Sequence, residues 1–127
     1  MIAADTSTWV AYLEGAIEND AELLRQALSN KLAVMVPVVL SELLSDPELP
    51  SQVASSLMDL PLIQIIPGYW QRAGLLRARV LAQGRRARLD DALIAQSCID
   101  EGLSLLTRDR DFRAFTEAAN LELVYGS

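Results

Sequence analysis

Residues 89–112 read LDDALIAQSCIDEGLSLLTRDRDF, and this stretch decides the fold. Asp90 and Asp91 open a segment in which Asp91, Ile94, Ala95 and Cys98 return on one helical face. The helix is predicted to run to about Asp100, and Gly102 suits its C-cap. Leu103–Leu106 then reads as a short buried strand. The acidic stretch Arg108-Asp109-Arg110-Asp111 follows, before a helix over Phe112–Ala119 and a last strand over Leu121–Val124. A helix that closes on glycine and runs straight into an apolar strand is half of a β-α-β crossover.

The rest of the chain repeats that rhythm. Ile2-Ala3-Ala4 reads as a first strand, and Thr6–Glu14 as a helix with Trp9, Val10 and Leu13 at helical spacing. A second helix is predicted over Asp20–Asn30 and a buried strand over Leu32–Val36. Pro37 ends that strand and suits the first turn of a helix continuing through Leu44. Pro47 and Pro50 break the chain before a helix over Gln52–Leu60. Leu62–Ile66 reads as a strand closed by Pro67-Gly68, and Trp70–Ala82 as a long helix stopped by Gly84. Strands alternating with helices imply an α/β fold with a mostly parallel central sheet and helices on both faces. The 127 residues suit one domain, 1–127, and a hydrophobic fraction of 51% is globular.

Composition narrows the chemistry. There is no histidine, which removes Ser-His-Asp and Cys-His mechanisms and histidine-ligated metals. The single cysteine, Cys98, forms no internal disulfide, which fits a reducing cytoplasm; it reads as a small buried residue. Apolar runs such as Leu32–Leu40 are too short to span a bilayer, and no secretory leader is expected ahead of Asp5. The net charge of −6 is uneven. Residues 1–71 hold 2 basic and 9 acidic side chains, whereas residues 72–127 hold 9 basic and 8 acidic, every basic one an arginine.

Four acids fall at the carboxyl ends of strands, where open α/β sheets bind ligands. Asp5 follows the first strand. Glu42 lies in the helix after the second. Asp91 begins a helix, and Asp109 follows the strand Leu103–Leu106. Singly, each reads as a turn, a cap or a solvated helix residue; it is their joint placement that points to a site. Converging carboxylates repel one another unless a cation or protons intervene. An all-oxygen donor set favours Mg²⁺ or Mn²⁺, which suits phosphodiester hydrolysis without a histidine base.

The segments Asp5-Thr6-Ser7, Ser41-Glu42-Leu43, Asp91-Ala92-Leu93-Ile94-Ala95-Gln96 and Leu106-Thr107-Arg108-Asp109-Arg110-Asp111-Phe112 resemble PIN-domain ribonucleases, most closely the VapC-type toxins, in order and spacing over essentially the whole chain. The resemblance implies a PIN-like three-layer fold. It implies a toxic, metal-dependent endoribonuclease acting on RNA, often tRNA or rRNA, through a metal-activated water. It places Asp5, Glu42, Asp91 and Asp109 at the family's four acidic positions, with Asp5, Asp91 and Asp109 as metal ligands and Thr6 and Thr107 as supporting hydroxyls. It also implies a cognate antitoxin that wraps the chain and covers the acidic pocket, and a toxin homodimer within a toxin–antitoxin hetero-oligomer.

Several assignments stay open. Asp90 competes with Asp91, and reads as the helix N-cap if Asp91 is the third acid. Asp111 competes with Asp109, and otherwise reads as peripheral beside a buried Phe112. Arg85, Arg86 and Arg88 fit a grip on RNA phosphates and a solvated basic loop equally well. Tyr69 and Trp70 suit base stacking, but read better as core. A catalytically inactive RNA- or protein-binding module of the same fold is the alternative function. A phospho-acceptor receiver domain also gathers acids at strand ends, but needs a lysine after its last strand; the only lysine, Lys31, precedes the second.

Overall fold

A computed structural model describes residues 1–125. Strand β1 (Ile2–Ala4) pairs in parallel with β2 (Ser104–Thr107), Ile2 facing Ser104 and Ala4 facing Leu106. On its other side β2 pairs in parallel with β3 (Leu123–Tyr125), Leu105 facing Leu123. Ala3, Ala4, Leu105 and Leu106 are all buried, so neither face of the sheet is left to water. That is the condition under which parallel strands form.

Helices α1 (Thr6–Leu13) and α2 (Asn19–Ser29) pack on each other and on β2. Helix α6 (Leu89–Glu101) also packs on β2 and is backed by α5 (Tyr69–Ala82), giving the three-layer α/β arrangement expected from the sequence. Helices α3 (Pro37–Leu44) and α4 (Ser51–Met58) lie between these layers' edges, α3 touching both α1 and α6. A single 3₁₀ turn (Arg110–Phe112) leads into α7 (Arg113–Ala118), so the expected Phe112–Ala119 helix starts in tighter form. No helix of the described residues is long and apolar enough to cross a membrane.

Two expected strands are shorter than the sequence suggested. Residues 32–36 and 62–66 are extended but join the sheet only through single parallel bridges, Ile2 to Ala33 and Met35 to Leu62. The first stretch is cut off by α3, which starts at Pro37. The second is bracketed by Pro61 and Pro67, which have no N–H to donate to a ladder, and its Ile65 and Ile66 are exposed. Asp90 also departs from expectation. Helix α6 begins at Leu89 with Arg88 at the N-cap, so Asp90 lies inside the first turn. The aromatic pair divides as well. Tyr69 is buried and its hydroxyl donates to the Leu93 carbonyl at 2.6 Å, whereas Trp70 is 65% exposed. Neighbours on a helix point about 100° apart, so one core cannot take both.

Two arginine forks tie the layers together. Arg72 of α5 donates to both carboxylate oxygens of Asp100 near the end of α6, at 3.1 and 2.6 Å. Arg108, just after β2, grips the fully buried Asp20 of α2 in the same way, at 2.8 and 2.6 Å. Thr8 of α1 donates a further hydrogen bond to Asp20 at 2.8 Å. The Arg108 guanidinium holds the Asp20 carboxyl below its ordinary pKa, against the opposing pull of burial.

That depression sets a sign for pH. The Asp20 carboxylate stabilises the fold above its unfolded pKa of about 3.9, and the contribution is lost as pH falls through the lower folded value. Asp20→Asn should cost about 2 kcal/mol at pH 7, less than a fully buried pair would because Arg108 keeps some contact with water. The gap between wild type and variant should narrow below about pH 4. Urea melts at pH 7 and pH 3 check this; a gap of equal size at both would show that the charge does not hold the tie.

Candidate active site

Both β1 and β2 end in acid-bearing turns at the same edge of the sheet. Asp5 follows β1 and caps α1, its Oδ1 accepting the Thr8 amide at 3.0 Å. The side chain is only 3% exposed, and it needs the further donors it has. Ser7 Oγ donates to Oδ1 at 2.7 Å, and Thr107 Oγ1 donates to Oδ2 at 2.6 Å. Thr107 in turn accepts the Asp109 amide at 2.9 Å, and Asp109 Oδ1 caps the 3₁₀ turn by accepting the Asp111 amide at 2.9 Å. Capping and site geometry therefore coincide at Asp5 and Asp109.

Asp91 completes the inner group from the first turn of α6. Its carboxyl is pushed up to about 7, first by burial and then by the charges of Asp90, Asp109 and Asp5, with Arg88 pulling the other way. Burial also raises Asp5; its three hydrogen bonds oppose the rise and Asp109 adds to it. Asp5, Asp91 and Asp109 thus feel one another across a common space with too little positive charge. Glu42 stands beside a second acid. Thr6 Oγ1 donates to it at 2.6 Å, and burial together with a hydrogen bond to Asp90 raises its pKa. As they stand, no three acidic or cysteine side chains among the described residues are grouped to hold a metal ion. The donor chemistry fits a hard cation, since every polar group here offers oxygen.

The arginines expected near the site part company. Arg85 is ion-paired with Glu117 of α7, while Arg88 lies 3.6 Å from Asp90 with its side chain 74% exposed. Arg86 is exposed and lines a polar hollow of about 300 Å³ with Arg85, Arg110 and Asp111. Cys98 is fully buried, its thiol pushed up to about 12 by burial and by Asp5.

Sequence reasoning missed two contributors. Ser7 reads as an ordinary first-turn serine until its bond to Asp5 is seen. Asp20 carried no signal at all, because an aspartate at a helix start is an ordinary cap residue.

Asp5 and Asp109 thus lie at the carboxyl edge of a parallel sheet in an α/β domain, the edge where such domains place their ligands. The chain belongs to the PIN domain family, whose model matches residues 2–118. Its fold is similar to the VapBC2 structure from Rickettsia felis bound to a DNA fragment of its promoter (TM-score 0.73, 24% identity, all of both chains covered). It is similar as well to DNA-bound VapBC from Salmonella typhimurium (TM-score 0.76, 19% identity, 98% of each chain). A third is VapBC-5 from Mycobacterium tuberculosis (TM-score 0.70, 22% identity, 98% of this chain and 97% of that one). Among curated proteins none matches the chain in sequence.

The raised Asp91 carboxyl works in the opposite direction from Asp20. Its ionisation costs the folded state, so metal-free protein should lose stability as pH rises from about 4 to about 7, on the order of a few kcal/mol, and level off above that. Asp91→Asn should flatten most of that slope, and Asp5→Asn should melt at or above the wild-type temperature at pH 7.5. Thermal melts in EDTA across this range test both; a wild-type melting temperature that climbs toward pH 8 would contradict the repulsion among these acids.

Proposed function

We propose that the chain is the toxin of a toxin–antitoxin pair, a Mg²⁺- or Mn²⁺-dependent endoribonuclease that hydrolyses phosphodiester bonds in RNA, tRNA or rRNA. The observation that carries this reading is the placement of the buried Asp5 and Asp91 with the turn residue Asp109 about one sheet edge, in a PIN family chain. These three residues would hold the cation with Glu42 beside them. A bound divalent cation supplies Lewis acidity toward the phosphodiester and lowers the pKa of water. Thr107, Ser7 and the Thr8 amide fix the orientation of Asp5, while Thr6 fixes Glu42. The exposed Arg86, and Arg88 beside Asp90, would meet RNA phosphates; Arg85 is ion-paired with Glu117. The cytoplasm is where such a substrate and a cognate antitoxin would be met.

An antitoxin has a surface to use. Two adjoining grooves, of about 310 and 470 Å³, share Leu13 and Val53 between α1 and α4. The first reaches Thr6 and Glu42 and is rimmed by Glu14, Asp46 and Glu48. Trp9, in the wall of the second, has a buried indole N–H without an acceptor. Apolar side chains and a cationic group near Glu42 would fit an antitoxin segment lying there. The similar structures are VapBC toxin–antitoxin pairs, which supports that kind of partner. A homodimer of the chain within the hetero-oligomer is part of the same reading.

Purified protein should cleave RNA in Mg²⁺ or Mn²⁺ and stop in excess EDTA, and folded Asp5→Asn should lose at least about 100-fold in rate, having lost a ligand charge. Undiminished cleavage in EDTA would end the metal-dependent reading; no cleavage in any divalent ion would favour the inactive binding module. For the partner, Val10→Asp in the first groove should leave the chain folded and weaken cognate antitoxin binding by about tenfold or more. Unchanged affinity in a titration would move the antitoxin to another face.

A further inference from the structure

We propose that Asp20 and Arg108, which lie outside the acidic rim, are positioning residues for it. The proposal rests on the metal-site reading of Asp5 and Asp109 and adds what holds those carboxylates in place.

Two residues each face both ways. Thr8 gives its backbone N–H to Asp5 at 3.0 Å and its hydroxyl to Asp20 at 2.8 Å. Arg108 gives its backbone N–H to Ser7 Oγ at 3.3 Å and its guanidinium to Asp20 at 2.8 and 2.6 Å. Ser7 passes the connection on to Asp5 at 2.7 Å. Asp20 is therefore a single buried anchor whose two partners reach the acidic centre from opposite sides, one from the start of α1 and one from the turn after β2. Arg108 lies between Thr107, which donates to Asp5, and Asp109, which the Thr107 hydroxyl receives at 2.9 Å. Tethering the guanidinium fixes the backbone on which both of these neighbours sit. A planar fork on a carboxylate holds orientation as well as distance, which a lysine ammonium does not. Partners one step behind metal ligands commonly set affinity through that orientation.

The fold supplies a matched control. The Arg72–Asp100 fork has the same chemistry and a carboxylate only 8% exposed against 0% for Asp20, but joins α5 to the far end of α6, nine residues beyond Asp91. Asp20→Asn, Arg108→Lys and Asp100→Asn should be compared with wild type by melting temperature, by amide hydrogen exchange at Thr8 and Asp109 in metal-free protein, and by calorimetric titration with Mn²⁺. All three variants should lose some thermal stability. Asp20→Asn and Arg108→Lys should also speed exchange at Asp109 and weaken Mn²⁺ binding by roughly tenfold or more, whereas Asp100→Asn should leave both at wild-type values. If Asp20→Asn and Arg108→Lys lower the melting temperature but change neither exchange nor Mn²⁺ affinity, the pair is a structural tie only and the proposal falls. If wild type itself binds no Mn²⁺, the metal reading fails, and the exchange rates alone decide whether the pair positions the turn. Should Asp20→Asn fail to fold, Arg108→Lys carries the same comparison.

Discussion

A buried carboxylate at the end of a parallel strand is the constraint on which the rest of this structure depends. Asp5 is almost out of water, and its oxygens accept from residues on α1 and from Thr107, 102 positions away. A charge so placed is tolerable only if donors surround it. The donors come from both ends of the chain, so β1 must lie beside β2 and α1 must begin at once. The parallel register follows, and with it the need for helices on both faces.

Much of this was legible in the sequence because the signals were local. Pro37 at the first turn of α3, Gly102 in the left-handed conformation at the end of α6, and the helical return of Ile94, Ala95 and Cys98 each announce an element from a few neighbouring residues. The gathering of acids at one sheet edge followed from topology. What could not be read was set by distant partners. Whether residues 32–36 form a ladder depends on neighbours flanked by Pro61, and whether Tyr69 or Trp70 turns inward depends on the position of the Leu93 carbonyl. Asp20 is the clearest case. Its importance lies wholly in an arginine 88 residues later, and no pattern around position 20 records it.

The titrations of these acids show how the protein distributes strain. Asp20 and Asp100 each meet an arginine fork and are held low. The buried Asp5 and Asp91 and the half-buried Glu42 have acids for neighbours and are held high. Arginines are close at hand, yet they are committed at the periphery: Arg85 to Glu117, Arg72 to Asp100, Arg108 to Asp20. The cationic side chains thus brace the scaffold and leave the inner carboxylates under-neutralised, which is the electrostatic condition a cation-binding centre requires.

The pairing of β1 with β2 also has a consequence in time. A ribosome delivers Asp5 at the outset, but the strand that flanks it, the hydroxyl that steadies it and the neighbouring Asp109 emerge only after residue 103. A nascent chain of 90 residues holds helices α1 to α5 and no assembled acidic edge. Long-range parallel pairing of this kind forms late. Synthesis itself therefore postpones the acidic edge until most of the protein has been made.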